Sequence, residues 1–137
     1  MQLIVFAFSF LAALLYTADV QAGSAASADE LKARYEEAVR RNDAEGAWRL
    51  FCKAATSDEI IAMYRGSVDD TINLPLASIA LAPLHKTSMS IPHSVEPIGR
   101  LVFTYNLEEQ QEPKRVSSFF YYGKANGEYC LALPAIP

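Results

Sequence analysis

The sequence is short of the residue types that most often mark a chemical function. Its 137 residues include two cysteines, two histidines, one tryptophan and six glycines. The glycines are scattered, so there is no glycine-rich loop that could cradle a phosphate group. Lysine and arginine number 12 against 16 acidic residues, and the net charge of −4 without a basic stripe argues against nucleic-acid binding. A chain of this length, without internal repeats, is expected to form one globular domain.

The two histidines and the serines near them form no known catalytic or metal-binding pattern. His85 and His93 lie in a proline-containing segment, and no cysteine or carboxylate stands at a zinc-ligand spacing from them. Ser88 and Ser90 lie between them without a nucleophile-elbow sequence. We therefore predict no metal, no cofactor and no catalytic residue, and we favour a protein that is not an enzyme.

The first 22 residues have the pattern of an export signal. Residues 3–16 are almost continuously apolar, and Val20-Gln21-Ala22 follows as a cleavage site, with Ala28 as the alternative position. No lysine or arginine precedes the apolar run, which departs from the usual signal pattern. As a helix the run would span about 21 Å, less than the ~30 Å hydrocarbon core, so a cleaved signal is favoured over an anchor.

This pattern predicts both the domain boundaries and the compartment. We expect residues 1–22 to be removed and residues 23–137 to form a single domain. That domain would be periplasmic or secreted, and it would meet a membrane only during export.

Helices are predicted in the first half of the mature chain. Ser27 and Glu30 have capping-box spacing, and apolar residues recur after them at helical intervals. Asp43 can cap a second helix that runs to about Lys53. The apolar face of this second helix contains Trp48, Phe51, Cys52 and Ala55.

A third helix is predicted between residues 56 and 66. Thr56 and Glu59 have capping-box spacing, and Gly66 is a candidate C-terminal stop. The apolar residues of this helix are Ile60, Met63 and Tyr64. One more turn can follow before Pro75 prevents continuation.

Strands are predicted after Pro75. The predicted strands cover residues 76–82, 98–107, 116–122 and 128–133, with a loop at 84–97 and a charged turn at 108–115. Asn126-Gly127 supplies the positive φ angles of a tight hairpin turn. Helices that precede strands in this way predict an α+β fold, with N-terminal helices packed on a C-terminal antiparallel sheet of about four strands.

The final hairpin and the order of elements carry a resemblance. Tyr122-Gly123-Lys124-Ala125-Asn126-Gly127-Glu128-Tyr129-Cys130-Leu131 resembles the closing hairpin of small exported bacterial proteins of unknown function. The order of elements over residues 28–133 is similar to the nuclear-transport-factor-like cone fold, in which helices cover a curved antiparallel sheet. The resemblance implies this architecture and no site residue, because no functional motif of that fold is matched.

Aromatic residues concentrate in the predicted strands. In the 116–122 strand, Phe119 and Tyr121 point to one face, and Phe120 and Tyr122 point to the other. One of the two pairs therefore cannot share the helix-covered core, and it would lie beside Arg100, Thr104 and Asn106, as at an interface. The candidate pocket or interface aromatics are Trp48, Tyr105, Phe119, Phe120, Tyr121 and Tyr122.

Cys52 and Cys130 are a candidate disulfide pair in an exported chain. If Cys52 lies on a helix and points into the core, the bridge requires Cys130 to share the helix-facing side of its strand with Glu128 and Ala132. Two buried free thiols are the alternative.

The sequence is compatible with three functions. The first is a non-enzymatic exported domain that binds a protein or a small ligand. The second is a cone-fold enzyme, with a tyrosine and a carboxylate around an apolar pocket between helices and sheet. The third is a structural homodimer that self-associates through the exposed face of the sheet.

The predicted signal can be tested directly. Because cleavage after Ala22 is favoured, mass spectrometry of the exported protein is expected to find Gly23 at the N-terminus. A full-length chain recovered from the membrane fraction would contradict the prediction.

Overall fold

The computed structural model describes residues 25–85 and 91–135 of the chain, and its class is α+β. The predicted signal segment lies outside the described residues. Within them, no helix is both long and apolar enough to cross a membrane. The elements in chain order are α1 (Ala28–Arg40), α2 (Ala44–Trp48), β1 (Phe51–Cys52), α3 (Asp58–Thr71), β2 (Leu76–Ala82), β3 (Pro97–Glu109), β4 (Glu112–Ala125) and β5 (Glu128–Ala132).

The first two helices begin at the caps that the sequence predicts. The hydroxyl of Ser27 accepts a hydrogen bond from the Glu30 amide at 3.0 Å, and the Asp43 carboxylate accepts one from the Gly46 amide at 2.9 Å. The prediction that the second helix reaches Lys53 is wrong, because α2 ends at Trp48. The chain then straightens into a strand.

The third helix is longer than predicted and presents a different face to the core. Its N-cap is Ser57, one residue after the expected cap at Thr56, and the helix passes through Gly66 without a break. Its buried residue is Val68, and Ile72, just after the helix, is buried as well. The buried stripe is therefore shifted by one position from the predicted one, and Met63 is left 59% exposed.

The sheet has five strands in the order β1-β5-β4-β3-β2, so the predicted four antiparallel strands are matched only in part. The pairs β2–β3, β3–β4 and β4–β5 are antiparallel, as expected. The missed strand is β1, which pairs parallel with β5 through Phe51 opposite Leu131 and Cys52 opposite Ala132. The sheet is therefore mixed.

Both hairpins close with two-residue turns. Asn126 and Gly127 have φ angles of 51° and 81°, as the Asn-Gly signal predicts. Gln110 and Gln111 have φ angles of 53° and 67° and form the other turn. The predicted eight-residue charged turn is therefore wrong, because β3 and β4 extend through it and pair as far as Glu109 opposite Glu112.

An aromatic cluster fills the space between α1 and the sheet face toward the helices, which we call the inner face. The Tyr35 ring of α1 stacks on Phe103 at 5.2 Å between centroids. Phe120 packs edge-on against Phe103 at 5.1 Å and against Phe51 at 4.9 Å. The expected packing of helices on the sheet is matched in part, since α1 covers the centre while α3 meets β4 through Tyr64 and Phe120, at 6.2 Å.

Cys52 and Cys130 form a disulfide bond on the opposite, outer face of the sheet. Their Cα atoms are 5.6 Å apart. The geometry expected for the bridge was wrong: because Cys52 is on a strand, it alternates with the buried Phe51 and points outward, so Leu131 keeps its place in the inner core.

A segment that we call the strap (residues 92–96) crosses the outer face beside the disulfide. The Ser94 amide donates to the Leu133 carbonyl at 2.7 Å, and the Ser94 hydroxyl accepts from the Leu133 amide at 3.0 Å. A Cβ atom added to Gly123 would meet the Glu96 carbonyl oxygen and would come within 2.7 Å of the Val95 side chain. Only glycine therefore lets the strap lie this close to β4.

The disulfide is expected to contribute a large share of the stability. The bridge joins residues 78 positions apart, so replacing both cysteines by alanine should lower the free energy of unfolding by about 4 kcal/mol. Urea unfolding of the wild type and the double variant measures the difference. Two free thiols per wild-type chain, titrated in denaturant without reductant, would contradict the bridge itself.

Two glycines are expected to respond in opposite directions to the same substitution. Gly66→Ala adds a methyl group in open space within a helix and should raise the free energy of unfolding by roughly 0.5–1 kcal/mol. Gly123→Ala places its added methyl group against the strap and should lower the free energy of unfolding by roughly 1–3 kcal/mol. Equal effects of the two substitutions in urea unfolding would show that the strap does not depend on close contact with β4.

Candidate binding surface

The structure separates the six aromatic candidates into two groups. Trp48, Tyr105 and Phe120 are buried in the inner cluster, and Tyr122 packs against that cluster over Gly99. Phe119 and Tyr121 lie on the outer face of the sheet. The outer face also carries Arg100 and Thr104, the neighbours that the sequence pattern assigns to it.

The outer aromatic pair is flanked by both histidines. Ring centroids are 5.7 Å apart for His85 and Phe119, 5.1 Å for Phe119 and Tyr121, and 5.3 Å for Tyr121 and His93. The Arg100 guanidinium lies 5.3 Å from the Phe119 ring centre, and its Nε donates to the Pro83 carbonyl at 2.8 Å. These contacts hold one side of the Phe119 ring in place.

The outer face is covered at one end and open at the other. Toward β5 and β1, the strap residue Val95 packs with the disulfide and with Tyr121. Toward β2, small polar and apolar side chains are exposed or half-buried. They are Ser78, Ala80, Val102, Thr104 and Ser117. Phe119, which is 37% exposed, stands where the covered part meets the open part.

A groove of about 320 Å³ lies between α3 and β4. Phe120 forms its buried wall, while Met63 and Phe119 line it as exposed side chains. Its remaining lining residues are Tyr64, Ser67 and Ser118. The groove is thus apolar, with three hydroxyl groups, and its volume lies at the lower end of the range of ligand pockets.

Sequence reasoning missed four of these six lining residues as site residues. The helical spacing assigns Met63 and Tyr64 to a core stripe, and Ser67 and Ser118 carry no signal of their own. A helical stripe through Ile61, Tyr64, Val68 and Ile72 would have placed Met63 outside the core and pointed to an exposed methionine.

Burial keeps the tyrosines near the inner face in their neutral form. It raises the pKa of Tyr35 well above the ordinary value, and it raises the pKa of Tyr64 and of Tyr105. A hydrogen bond with Thr71 opposes part of the rise for Tyr105. The hydroxyl group of Tyr64 in the groove therefore stays protonated at neutral pH, as a hydrogen-bonding group and not as a base.

A second concavity, of about 470 Å³, lies between α1 and α2. Most of its charged groups are engaged within the protein. Glu37 pairs with Arg40 and Arg41, and the Asp43 carboxylate caps α2. It offers an incoming ligand no exposed apolar side chain comparable to Met63 or Phe119.

The part of the chain that the structure describes contains no cluster of three or more histidine, cysteine, aspartate or glutamate side chains able to hold a metal ion. Comparisons with models of protein families, with curated proteins and with solved structures found no match to this chain.

Proposed function

We propose that this chain is an exported, non-enzymatic domain that binds a segment of a partner protein in the groove between α3 and β4. The observation that carries the proposal is the pair of apolar side chains at the groove, Met63 at 59% and Phe119 at 37% exposure. Large apolar groups that stay in water beside a concave surface are typical of interaction sites.

Export is supported by the disulfide bond. Such bonds persist in oxidising compartments and are rare in the cytosol. The Cys52–Cys130 bond joins strands β1 and β5, so it belongs to the framework of the sheet. We propose that the chain acts after export, in the periplasm or outside the cell.

The groove gives less support to the enzyme alternative. A cone-fold enzyme needs a tyrosine and a carboxylate around an apolar pocket, and the groove lining contains Tyr64 but no acidic residue. The space between α1 and the sheet is occupied by Tyr35, Phe103 and Phe120. The resemblance to the cone fold remains a prediction about architecture.

Peptide selection tests the proposed function. A phage-displayed library of random heptapeptides, selected on the purified chain, should give binders whose affinity falls tenfold or more with Met63→Ser or Phe119→Ser. The reason is that burying either apolar side chain is worth about 1.5–3 kcal/mol, and tenfold corresponds to about 1.4 kcal/mol.

Ile98→Ser is the matched control for these variants. Ile98 is a 50% exposed apolar residue that does not line the groove, so its replacement should leave the affinity unchanged. Binders that are indifferent to both groove substitutions would contradict the proposal. If no binder is selected and sedimentation velocity finds a dimer that Phe119→Ser dissociates, the open outer face is a homodimer interface instead.

A further inference from the structure

The turn between β3 and β4 determines which backbone groups of β4 are already hydrogen-bonded. Glu109 and Glu112 flank a two-residue turn, so they form the hydrogen-bonded closing pair of the hairpin. From there the pattern alternates, and the even-numbered residues of β4 bond to β3. The odd-numbered residues direct their N–H and C=O groups to the other side. Pro113, which has no N–H, fits this pattern because it occupies an odd position.

The far side of β4 is only partly used by β5. The pairing of β4 with β5 covers Tyr122 to Ala125 and no earlier residue. Arg115, Ser117 and Phe119 therefore direct their main-chain groups to an edge that no strand in the described part of the chain occupies. The groove with α3 opens beside this edge, at Ser118 and Phe120.

The unpaired edge of β4 and the groove beside it together resemble sites that bind an extended peptide as an added strand. An unpaired strand edge supplies main-chain donors and acceptors at the repeat of a β-strand, and a neighbouring groove receives side chains from one face of an added strand. We propose that an extended peptide binds here as a sixth strand, antiparallel to β4, with an apolar side chain in the groove. This proposal rests on the proposed function and specifies how the partner is bound.

The charge of Arg115 indicates that the bound peptide should also carry an acidic residue. Arg115 is exposed on the outer face and forms no ion pair within residues 25–85 and 91–135. A peptide residue opposite Arg115 shares its face, so an acidic side chain there would pair with the guanidinium. The residue opposite Ser118 faces the groove on the other side. The site is thus specific for an apolar residue followed three positions later by Asp or Glu.

The same charges disfavour a second copy of this chain as the occupant. Two β4 edges that pair with each other would bring two copies of Arg115 into one interface, and Lys114 beside it is already paired with Glu109 at 2.9 Å. Like charges brought together across strands are destabilising. An acidic peptide instead supplies the missing counter-charge.

Amide hydrogen exchange measured by NMR tests the mode of binding directly. The probe is the acetylated peptide Thr-Val-Leu-Thr-Thr-Glu-Thr, added to the purified, disulfide-bonded chain. In the free protein the amides of Arg115, Ser117 and Phe119 should exchange rapidly. At saturation they should slow by about tenfold or more, while those of Val116 and Ser118, already bonded to β3, should change little.

Matched reagents separate main-chain from side-chain recognition. N-methylation of the Glu in the probe removes an amide that faces β4 and should abolish binding, whereas N-methylation of the Thr before it should not. Replacing that Glu by Lys should weaken binding by roughly fivefold or more. Ser117→Pro should also abolish binding, and Ser117→Ala, which keeps the amide, should retain it.

The outcomes distinguish this inference from the proposed function. A probe that does not bind, or that binds without slowing the three odd-numbered amides, overturns strand addition. In that case peptides selected on the chain and lost with Met63→Ser would still support the groove as a binding site. If Ser117→Pro fails to fold, the pair of N-methylated probes decides the question.

Discussion

The parallel pairing of β1 with β5 is the contact on which the rest of the structure depends. It consists of two residue pairs and a hydrogen bond of 2.8 Å from the Leu131 amide to the Leu50 carbonyl. Because a strand alternates its side chains, this pairing places Phe51 in the inner cluster and Cys52 beside Cys130 on the outer face. It also fixes where the chain leaves the sheet to enter α3, and so where the groove forms.

Local signals in the sequence were sufficient for most of the elements. The caps at Ser27 and Asp43, the Asn126-Gly127 turn and the alternation along β3 each depend on residues close together in the chain. What could not be predicted depends on distant partners. A two-residue strand has no measurable period, so the local pattern around Phe51 and Cys52 fits a helix, and only their pairing with β5 makes them a strand. Gln110 and Gln111 adopt positive φ angles that their side chains do not signal.

Only part of the candidate site could be predicted from the sequence, for a related reason. The alternation of residues 119–122 indicated that one aromatic pair must lie outside the core, and Phe119 and Tyr121 do lie on the outer face. The groove, however, needs the packing of α3 against β4, and that packing turns Met63 outward. When the buried stripe of a helix moves by one residue, the face of the helix toward the core turns by about 100°. That is enough to exchange a core residue for a surface residue.

The order of strands in the sheet also governs when the molecule can be completed. Cys52 emerges from the ribosome long before residues 128–132, the only strand it pairs with in the described part of the chain. Until then Phe51 lacks its paired neighbour Leu131, and β1 has no strand beside it. While the C-terminal half is being made, β1 therefore has no partner strand and Cys52 remains a free thiol. Contacts between such distant positions are slow to form, so we expect β1 to pair with β5, and Cys52 to approach Cys130, late in folding.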